Sequence, residues 1–312
     1  MSIRTSQVLL YRLGWLPLFA ACVPAAFAQT PAAEPAPELI SSPPPEGAIG
    51  GMGDINLYPK RLVMSDRERT ASIGLYNRAA RMGEYEISIG DMLMGEDGSL
   101  VHLETVTDPA ARARVNPASS FLKWSPRRVA LPANEAVMVR IMARIPPDLP
   151  AGEYRSHFSV ISVPPVDDAR TLEEATGEAP GGGMSVTIRP RFGITIPVIL
   201  RVGETTLTAG LTGFALIGLG NGEQALSVTI TRAGNRSAFG DITVTAPGVR
   251  KPVAEIKGVG VYTEIASRTV LVPFDSELTS GRIAPGTRLT VTYTDDDYAP
   301  GKILARQEFV VP

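Results

Sequence analysis

The strongest constraint on the fold is the spacing of the apolar segments after Asp54. Each apolar segment is short, and Gly, Pro, Asn or Asp separates it from the next; the chain has 30 Gly and 27 Pro among its 312 residues. The segments show no sustained helical period. Short strands at regular spacing, with turn residues between them, are typical of a β-sandwich or barrel. The sequence therefore predicts an all-β protein.

The β-rich part of the chain is long enough for two domains. We predict an N-terminal immunoglobulin-like β-sandwich domain over residues 54–202 and a C-terminal one over 203–312, each of about the usual size for this fold. Residues 164–183 contain two prolines near the start, several acids and then Pro180-Gly181-Gly182-Gly183. This composition buries little, so we expect a long mobile hairpin loop within the first domain.

The N-terminus has the layout of a secretory signal peptide. Arg4 and Arg12 precede an apolar run over 13–23, and Ala26-Phe27-Ala28 forms a cleavage site. The run is about half as long as a membrane-spanning helix. We expect residues 1–28 to be removed on export to the periplasm, with lipidation of Cys22 as the alternative.

Residues 29–53 follow the signal peptide and are rich in Pro, Ala and Gly. They contain little that fills a core, and such segments stay extended. We predict a disordered leader that acts as a spacer.

Composition excludes several classes of function. The only cysteine, Cys22, lies in the predicted signal peptide, so the mature chain has no disulfide and only two histidines, His102 and His157, for a zinc site. Loss of the two leader arginines takes the formal net charge from −2 to −4, and both signs are interspersed. A basic face for nucleic acid is absent. We also find no nucleophile elbow or phosphate loop, so we expect no enzyme activity, cofactor or metal.

One acidic run needs a separate interpretation. Asp295-Asp296-Asp297 stands between Tyr293 and Tyr298, just before Pro300-Gly301. Clustered carboxylates suit a hard cation such as calcium, but this run lacks the spaced ligands of a known calcium loop. We therefore expect a solvated hairpin turn here.

Residues 186–200 carry an unusually regular apolar alternation. Because side chains alternate across a strand, every second residue shares one face. The apolar set is Val186, Ile188, Pro190, Phe192, Ile194, Ile196, Val198 and Leu200.

This apolar stripe has two interpretations. In the first, it faces the core of its own sandwich. In the second, the strand lies at a sheet edge, because Pro190 and Pro197 cannot donate to a ladder and the run is about twice the usual strand length. A long apolar edge is an aggregation hazard, so its presence favours a use in strand addition to an incomplete partner.

At this point the sequence resembles the PapD-like periplasmic chaperones of pilus subunits, in a divergent form. The resemblance covers most of the mature chain and depends on the order of several short motifs. These motifs are Leu57-Tyr58-Pro59-Lys60-Arg61-Leu62-Val63-Met64, Ile73-Gly74-Leu75-Tyr76-Asn77, Phe121-Leu122-Lys123-Trp124-Ser125-Pro126-Arg127-Arg128-Val129-Ala130-Leu131-Pro132, Val139-Arg140-Ile141, Leu149-Pro150-Ala151-Gly152-Glu153-Tyr154-Arg155 and Ile196-Pro197-Val198-Ile199-Leu200-Arg201.

The resemblance implies a chaperone that works by donor-strand complementation. Such a chaperone lends a long edge strand to a pilus or fimbrial subunit that lacks its last strand, and delivers the complex to an outer-membrane usher. The donor strand of the family maps onto residues 186–200, whose apolar members Val186, Ile188, Phe192, Ile194, Ile196, Val198 and Leu200 would fill the groove of the subunit.

The resemblance also implies a basic pair that holds the terminal carboxylate of the subunit. Its arginine falls on Arg61, whose guanidinium suits two parallel hydrogen bonds to a carboxylate. Where the family has its lysine, this chain has Pro197. Arg201 and Arg191 are the two candidates for the second charge, and an ordinary ion-paired role for Arg61 remains open.

A structural or adhesive surface protein built of immunoglobulin-like modules is the main alternative function. Such a building block would complete or hide its edge strand, whereas a chaperone leaves the strand open to its client. A homodimer in which the free protein caps its own strand is a further partner that the sequence leaves open.

Overall fold

The computed structural model describes residues 39–40, 44–45, 48–50, 55–164, 191–220, 222–279 and 283–312. Within these residues the chain is almost entirely β-structure, which confirms the predicted all-β class with two β-sandwiches. The predicted signal peptide, most of the loop over 164–183, and Val186, Ile188 and Pro190 lie outside the described residues.

In its described residues the first sandwich contains thirteen strands, a short helix α1 (Pro109–Ala113) and two single 3₁₀ turns (Leu103–Thr105 and Ser119–Phe121). The strands are β1 (Leu39–Ile40), β2 (Ile49–Gly50), β3 (Ile55–Tyr58), β4 (Leu62–Ser65), β5 (Thr70–Asn77), β6 (Gly83–Gly90), β7 (Met92–Met94), β8 (Leu100–His102), β9 (Leu122–Ser125), β10 (Arg128–Leu131), β11 (Ala136–Ala143), β12 (Gly152–Val163) and β13 (Gly193–Val202).

Two of its sheets face each other. One has the order β1-β11-β5-β3-β2, with β9 also pairing β11, and the other has the order β10-β6-β12-β13-β4; β7 and β8 form a separate hairpin. The inward side chains alternate along each strand, as in β11, where Val137, Val139 and Ile141 are fully buried. This alternation places one apolar core between the two sheets.

The second sandwich contains β14 (Leu207–Gly218), β15 (Gln224–Gly234), β16 (Ala238–Thr245), β17 (Ala254–Val261), β18 (Ser267–Pro273), the one-turn helix α2 (Ser276–Thr279), β19 (Arg288–Asp295) and β20 (Ile303–Val310). Its sheets have the orders β14-β15-β18 and β17-β16-β19-β20. Their core also takes in Met94 and Ile199 from the first sandwich, so the two sandwiches pack against each other. The domain limits 54–202 and 203–312 stay a proposal.

The segment that contains β3 and β4 changes sheet part-way. Its first half, β3, pairs antiparallel with β5, and its second half, β4, pairs parallel with β13 in the other sheet. Lys60 and Arg61 lie at the crossover, outside both ladders. Their side chains are therefore directed by the crossover and not by the alternation of a strand.

Parts of the expected leader belong to a sheet. Leu39 and Ile40 pair with Val137 and Ala136, and β2 pairs with β3. This departs from the disordered leader predicted over 29–53. The physical reason is that the outer edges of β11 and β3 carry unpaired backbone N–H and C=O groups, to which a short extended segment can hydrogen-bond. Among the described residues, no helix is long and apolar enough to cross a membrane.

Candidate functional site

Strand β13 is paired along its whole length on one side and along only part of its length on the other. On its first side, β12 pairs with it from Gly193 to Val202. On its second side, β4 pairs only with the residues from Val198 to Arg201. Within the described part of the chain, no strand pairs with residues 193–197 on that second side, which we call the open edge.

The backbone orientation of the open edge follows from the antiparallel ladder. The carbonyl oxygen of Phe192 accepts a hydrogen bond from the Ser162 N–H at 2.8 Å. Because alternate residues turn their backbone groups to the same neighbour, Gly193, Thr195 and Pro197 turn theirs to the open side. The open edge therefore offers the N–H donors and carbonyl acceptors of Gly193 and Thr195, while the carbonyl of Pro197 faces the start of β4. Pro197 sits where its missing N–H removes no bond to β12.

In the described residues, the apolar stripe lies away from this open surface from Ile194 to Leu200. Ile194, Ile196, Val198 and Leu200 are buried in the core of their own sandwich, with exposed fractions of 8% or less. These four side chains lie in their own core in this structure, and their predicted role as groove-filling donor side chains stays a prediction. The alternation identified the buried face correctly, but it did not decide which partner buries it.

Phe192 is the exception in the described part of the stripe. It precedes β13 and is 38% exposed. Its N–H donates to the Ser162 hydroxyl at 3.0 Å. An exposed aromatic ring thus lies next to the open edge, and the predicted roles of Val186 and Ile188 stay predictions.

The face of β13 opposite to the apolar stripe is polar at Thr195 and apolar at Ile199. The hydroxyl groups of Thr195 and Ser159 hydrogen-bond at 2.9 Å across the ladder. Further along, Ile199 is fully buried in the core of the second sandwich. One face of this strand therefore begins beside the open edge and ends in the contact between the two sandwiches.

Arg61 and Arg201, two of the predicted anchor residues, are brought together by Asp297. Arg61 Nε lies 3.5 Å from Asp297 Oδ1, and Arg201 Nη2 contacts Asp297 Oδ2. Both guanidinium groups are about nine-tenths buried. An internal carboxylate thus bridges the two arginines, and their role as a client anchor stays a prediction.

Asp296 binds Arg61 and the neighbouring Lys60. Lys60 Nζ donates to Asp296 Oδ2 at 2.6 Å, while Arg61 Nη2 donates to Oδ1 at 2.7 Å and to the Asp296 carbonyl oxygen at 2.8 Å. Burial alone would raise the pKa of Asp296, but these hydrogen bonds and positive charges outweigh it and lower that pKa. The Arg61 guanidinium also stacks on the ring of Phe239, 4.5 Å from its centroid.

Arg201 holds a second carboxylate, that of Glu153. Its Nε lies 3.2 Å from Glu153 Oε2, and the other oxygen of Glu153 accepts hydrogen bonds from the N–H and hydroxyl of Ser237 in the second sandwich. Burial opposes the charge of Arg201, but Glu153 and Asp297 together raise its pKa. Arg201 is therefore committed to linking the sandwiches.

Arg191, the other candidate for the second charge, lies elsewhere. It pairs with Glu86 at 2.7 Å, and both side chains are about half exposed. Arg191 lies beside Ser162, near the end of β12, because its Nε donates to the Ser162 carbonyl. Arg201 lies opposite Glu153, near the start of β12. At about 3.3 Å per residue these ends of the ladder are about 30 Å apart, so Arg191 is not part of the anchor.

The acidic run 295–297 is not the solvated hairpin turn that the sequence predicted. Asp295 is 4% exposed and its carboxylate accepts the N–H groups of Asp297, Tyr298 and Ala299 at 2.8, 3.1 and 3.2 Å. The turn thereby presents the next two carboxylates to the cations of the first sandwich. Sequence alone showed the run, but its partners are distant in the chain: Lys60 and Arg61 lie more than 230 residues from Asp296, and Arg201 lies 96 residues from Asp297.

A second buried ion pair joins the sandwiches. Arg155 Nη2 and Glu264 Oε1 are 2.6 Å apart, and their side chains are 3% and 0% exposed. The Arg155 guanidinium lies over the ring of Tyr262, 3.6 Å from the centroid. Sequence reasoning missed this pair, because neither residue stands in a motif that implies a buried charge.

The described residues offer no cluster of His, Cys, Asp and Glu that would hold a metal ion. The carboxylates of the acidic run are instead neutralised by Lys60, Arg61 and Arg201. The arrangement can neutralise and fix carboxylates.

Comparison with known proteins gave matches among solved structures alone. No family profile matches the chain, and no curated protein matches it. The YadV chaperone is similar over 83% of this chain and 100% of its own, with 14% identity and a TM-score of 0.43.

Two further similar structures are chaperones from Pseudomonas and Salmonella. The CupB2 chaperone of Pseudomonas aeruginosa is 12% identical, with a TM-score of 0.40, over 82% of this chain and 100% of its own. The SafB chaperone of Salmonella enterica, solved with the SafA pilin, is 13% identical, with a TM-score of 0.41, over 84% and 99%.

Proposed function

We propose that this chain is a PapD-like periplasmic chaperone that binds pilus or fimbrial subunits by strand addition at the open edge of β13. The observation that carries the proposal is the uncovered side of residues 193–197 on a strand that is otherwise paired. Backbone donors and acceptors on such an edge bind an extended partner strand without requiring a particular sequence. A client strand would extend the sheet β10-β6-β12-β13 by one.

The described residues of the predicted stripe divide into a buried group and one exposed residue. Ile194 and Ile196 are occupied by their own core. Phe192 is exposed beside the edge and is the described residue best placed to enter an apolar groove of the client. Val186 and Ile188 remain proposed donor residues.

Arg61 is the proposed anchor of the client's terminal carboxylate. It lies at the crossover between β3 and β4, close to the residues of β4 that pair with the end of β13. Arg201 supports the same cluster through Asp297. A carboxylate at Arg61 would set the register of the client strand along the edge.

Delivery to an outer-membrane usher, export to the periplasm through residues 1–28 and the absence of catalysis complete the proposal. The alternative of a structural or adhesive surface module predicts a completed edge. The open edge favours the chaperone over that alternative.

The experiment compares Thr195→Pro with Thr195→Val in tagged protein recovered from periplasm. Proline removes the outward N–H of residue 195, whereas valine removes only the hydroxyl that bonds Ser159. We expect a pilin-sized partner to be recovered in equal molar amount with wild type and the valine variant. We expect recovery to fall by about five- to ten-fold with proline, the effect of losing a net stabilisation of about 1 kcal/mol.

Two outcomes would contradict the proposal. If neither the wild type nor any variant retains a partner in a strain that expresses pili, the proposal that this chain binds pilus subunits is wrong. If the proline and valine variants retain equal amounts while both stay folded by circular dichroism, the edge is not the binding element. Ile194→Asp is unsuitable because it would place a charge in the core of the sandwich.

A further inference from the structure

Lys60 and Arg61 converge on a single carboxylate, and we call these two cations and Asp296 the clamp. Lys60 Nζ contacts one oxygen of Asp296 at 2.6 Å, and Arg61 Nη2 contacts the other at 2.7 Å. One carboxylate gripped by two cations, one on each oxygen, is the geometry that a terminal carboxylate would need. The two cations of the clamp thus already bind a carboxylate of their own chain.

We propose that Lys60 is the second cation of the client-carboxylate site, and that Asp296 occupies this site until the terminal carboxylate of a client displaces it. The inference rests on the proposed function, in which Arg61 is the anchor. It assigns to Lys60 the role that neither Arg201 nor Arg191 can take. It also makes Asp296 an internal competitor of the client.

Charge balance favours displacement over simple addition. Lys60, Arg61 and Arg201 supply three positive charges, and Glu153, Asp296 and Asp297 supply three negative charges in contact with them. A fourth carboxylate would leave this partly buried cluster with an uncompensated negative charge, which is costly. Replacement of one resident carboxylate preserves the balance.

The side-chain exposures indicate that the carboxylate of Asp296 is the one that a client would displace. Lys60 has a side-chain exposure of 45% and Asp296 of 13%, whereas Asp297 has 7% and Glu153 is fully buried. Asp297 and Glu153 also share Arg201. Asp296 is therefore the carboxylate with the most direct route to solvent, and it binds the one cation of the cluster that is half exposed.

The turn itself can persist when the Asp296 carboxylate moves. Asp295 holds the turn by accepting three backbone N–H groups, and none of these bonds involves the side chain of Asp296. Arg61 also donates to the carbonyl oxygen of Asp296. Rotation of one side chain would therefore open the clamp without refolding the hairpin between β19 and β20.

The test uses N-acetylglycine as a minimal chain-terminal carboxylate and N-acetylglycinamide as its neutral counterpart. Protein beginning at Gln29 is titrated with each, and binding is followed by the ¹⁵Nε–H signal of Arg61. Asp296→Asn removes the competing charge while retaining the shape. We expect the Asp296→Asn variant to bind N-acetylglycine about five- to ten-fold more tightly than wild type. N-acetylglycinamide should leave the signal unchanged in both proteins.

Lys60→Gln in the Asp296→Asn background tests the second cation. We expect it to return the affinity for N-acetylglycine to the wild-type value or below. Glu308→Gln is the matched control, since it removes a carboxylate from an exposed pair with Arg288. It should leave the titration as in wild type.

A measurement on wild-type protein keeps the test independent of the folding of the variants. N-acetylglycine should shift the ¹³Cγ signal of Asp296 and leave that of Asp295 in place. The proposal is overturned if Asp296→Asn does not tighten binding, if the Lys60 change has no effect, or if the Asp296 signal stays fixed while that of Arg61 shifts. These titrations need no client, so failure to recover a pilin would reject the proposed function alone.

Discussion

His157 is a buried base in the contact between the sandwiches. It is 1% exposed, its ring lies 5.9 Å from that of Tyr262, and neither ring nitrogen has a hydrogen-bond partner among the described residues. Burial, and then the positive charge of Arg155, lower its pKa to about 3 from an ordinary value of 6.5. The folded protein therefore keeps this imidazole neutral where the unfolded chain protonates it.

The lowered pKa of His157 makes stability depend on pH. Because the unfolded chain takes up a proton near pH 6.5 and the folded chain only near 3, the free energy of unfolding falls as the pH drops through this window, by up to about 1.4 kcal/mol per unit. We expect His157→Leu to remove this contribution in urea unfolding at about pH 4.5, 5.5 and 7. His102→Gln removes an exposed histidine whose charge is the smallest of the three causes of the lowered pKa of His157, so it should change the slope far less. Equal slopes for wild type and His157→Leu would contradict the assignment.

At the scale of the element, the turn between β19 and β20 shows how a short polar segment positions a site. Asp295 caps its own turn, and Asp296 and Asp297 then bind Lys60, Arg61 and Arg201. The same residue type thus has an internal structural role at one position and an ionic role at the next two. Loss of the Asp295 cap should therefore affect both the stability of the turn and the ion pairs of Asp296 and Asp297.

We expect Asp295→Ala to lower the free energy of unfolding by about 1 kcal/mol or more, because three partly buried N–H groups lose their acceptor. The variant should also weaken the hold on Arg61, seen as a change in its ¹⁵Nε–H signal. Asp97→Ala is the matched control, since Asp97 caps an exposed turn at Ser99. A destabilisation of equal size in the two variants, with an unchanged Arg61 signal, would refute this role of the turn.

For the whole molecule, the contact between the sandwiches decides whether they unfold together. Glu153 joins Arg201 of the first sandwich to Ser237 of the second, and Arg155 pairs with Glu264. Both links are buried. Such pairs add little over an apolar contact, but removing one partner leaves a buried charge that costs about 3–5 kcal/mol.

We therefore expect Glu153→Gln to separate the unfolding of the two sandwiches. In protein beginning at Gln29, Trp124 is the only tryptophan and reports on the first sandwich, while far-ultraviolet circular dichroism reports on both. The two signals should share one urea midpoint in wild type and differ in the variant. Glu308→Gln, at a surface pair, should keep one midpoint. A common midpoint in Glu153→Gln would show that the ionic link does not couple the sandwiches.

The sequence by itself determined the β-class, the two sandwiches and the inward face of β13, because alternation and turn residues are local properties of the chain. Arg61 and Arg201 also came from the sequence, through the resemblance. Only the tertiary structure decided that Ile194 and Ile196 lie in their own core, that Arg191 is remote from Arg201, and that Asp296 joins Lys60 to Arg61. Contacts across more than 230 residues depend on how strands pair and sandwiches pack, and no local pattern in the chain encodes those distances.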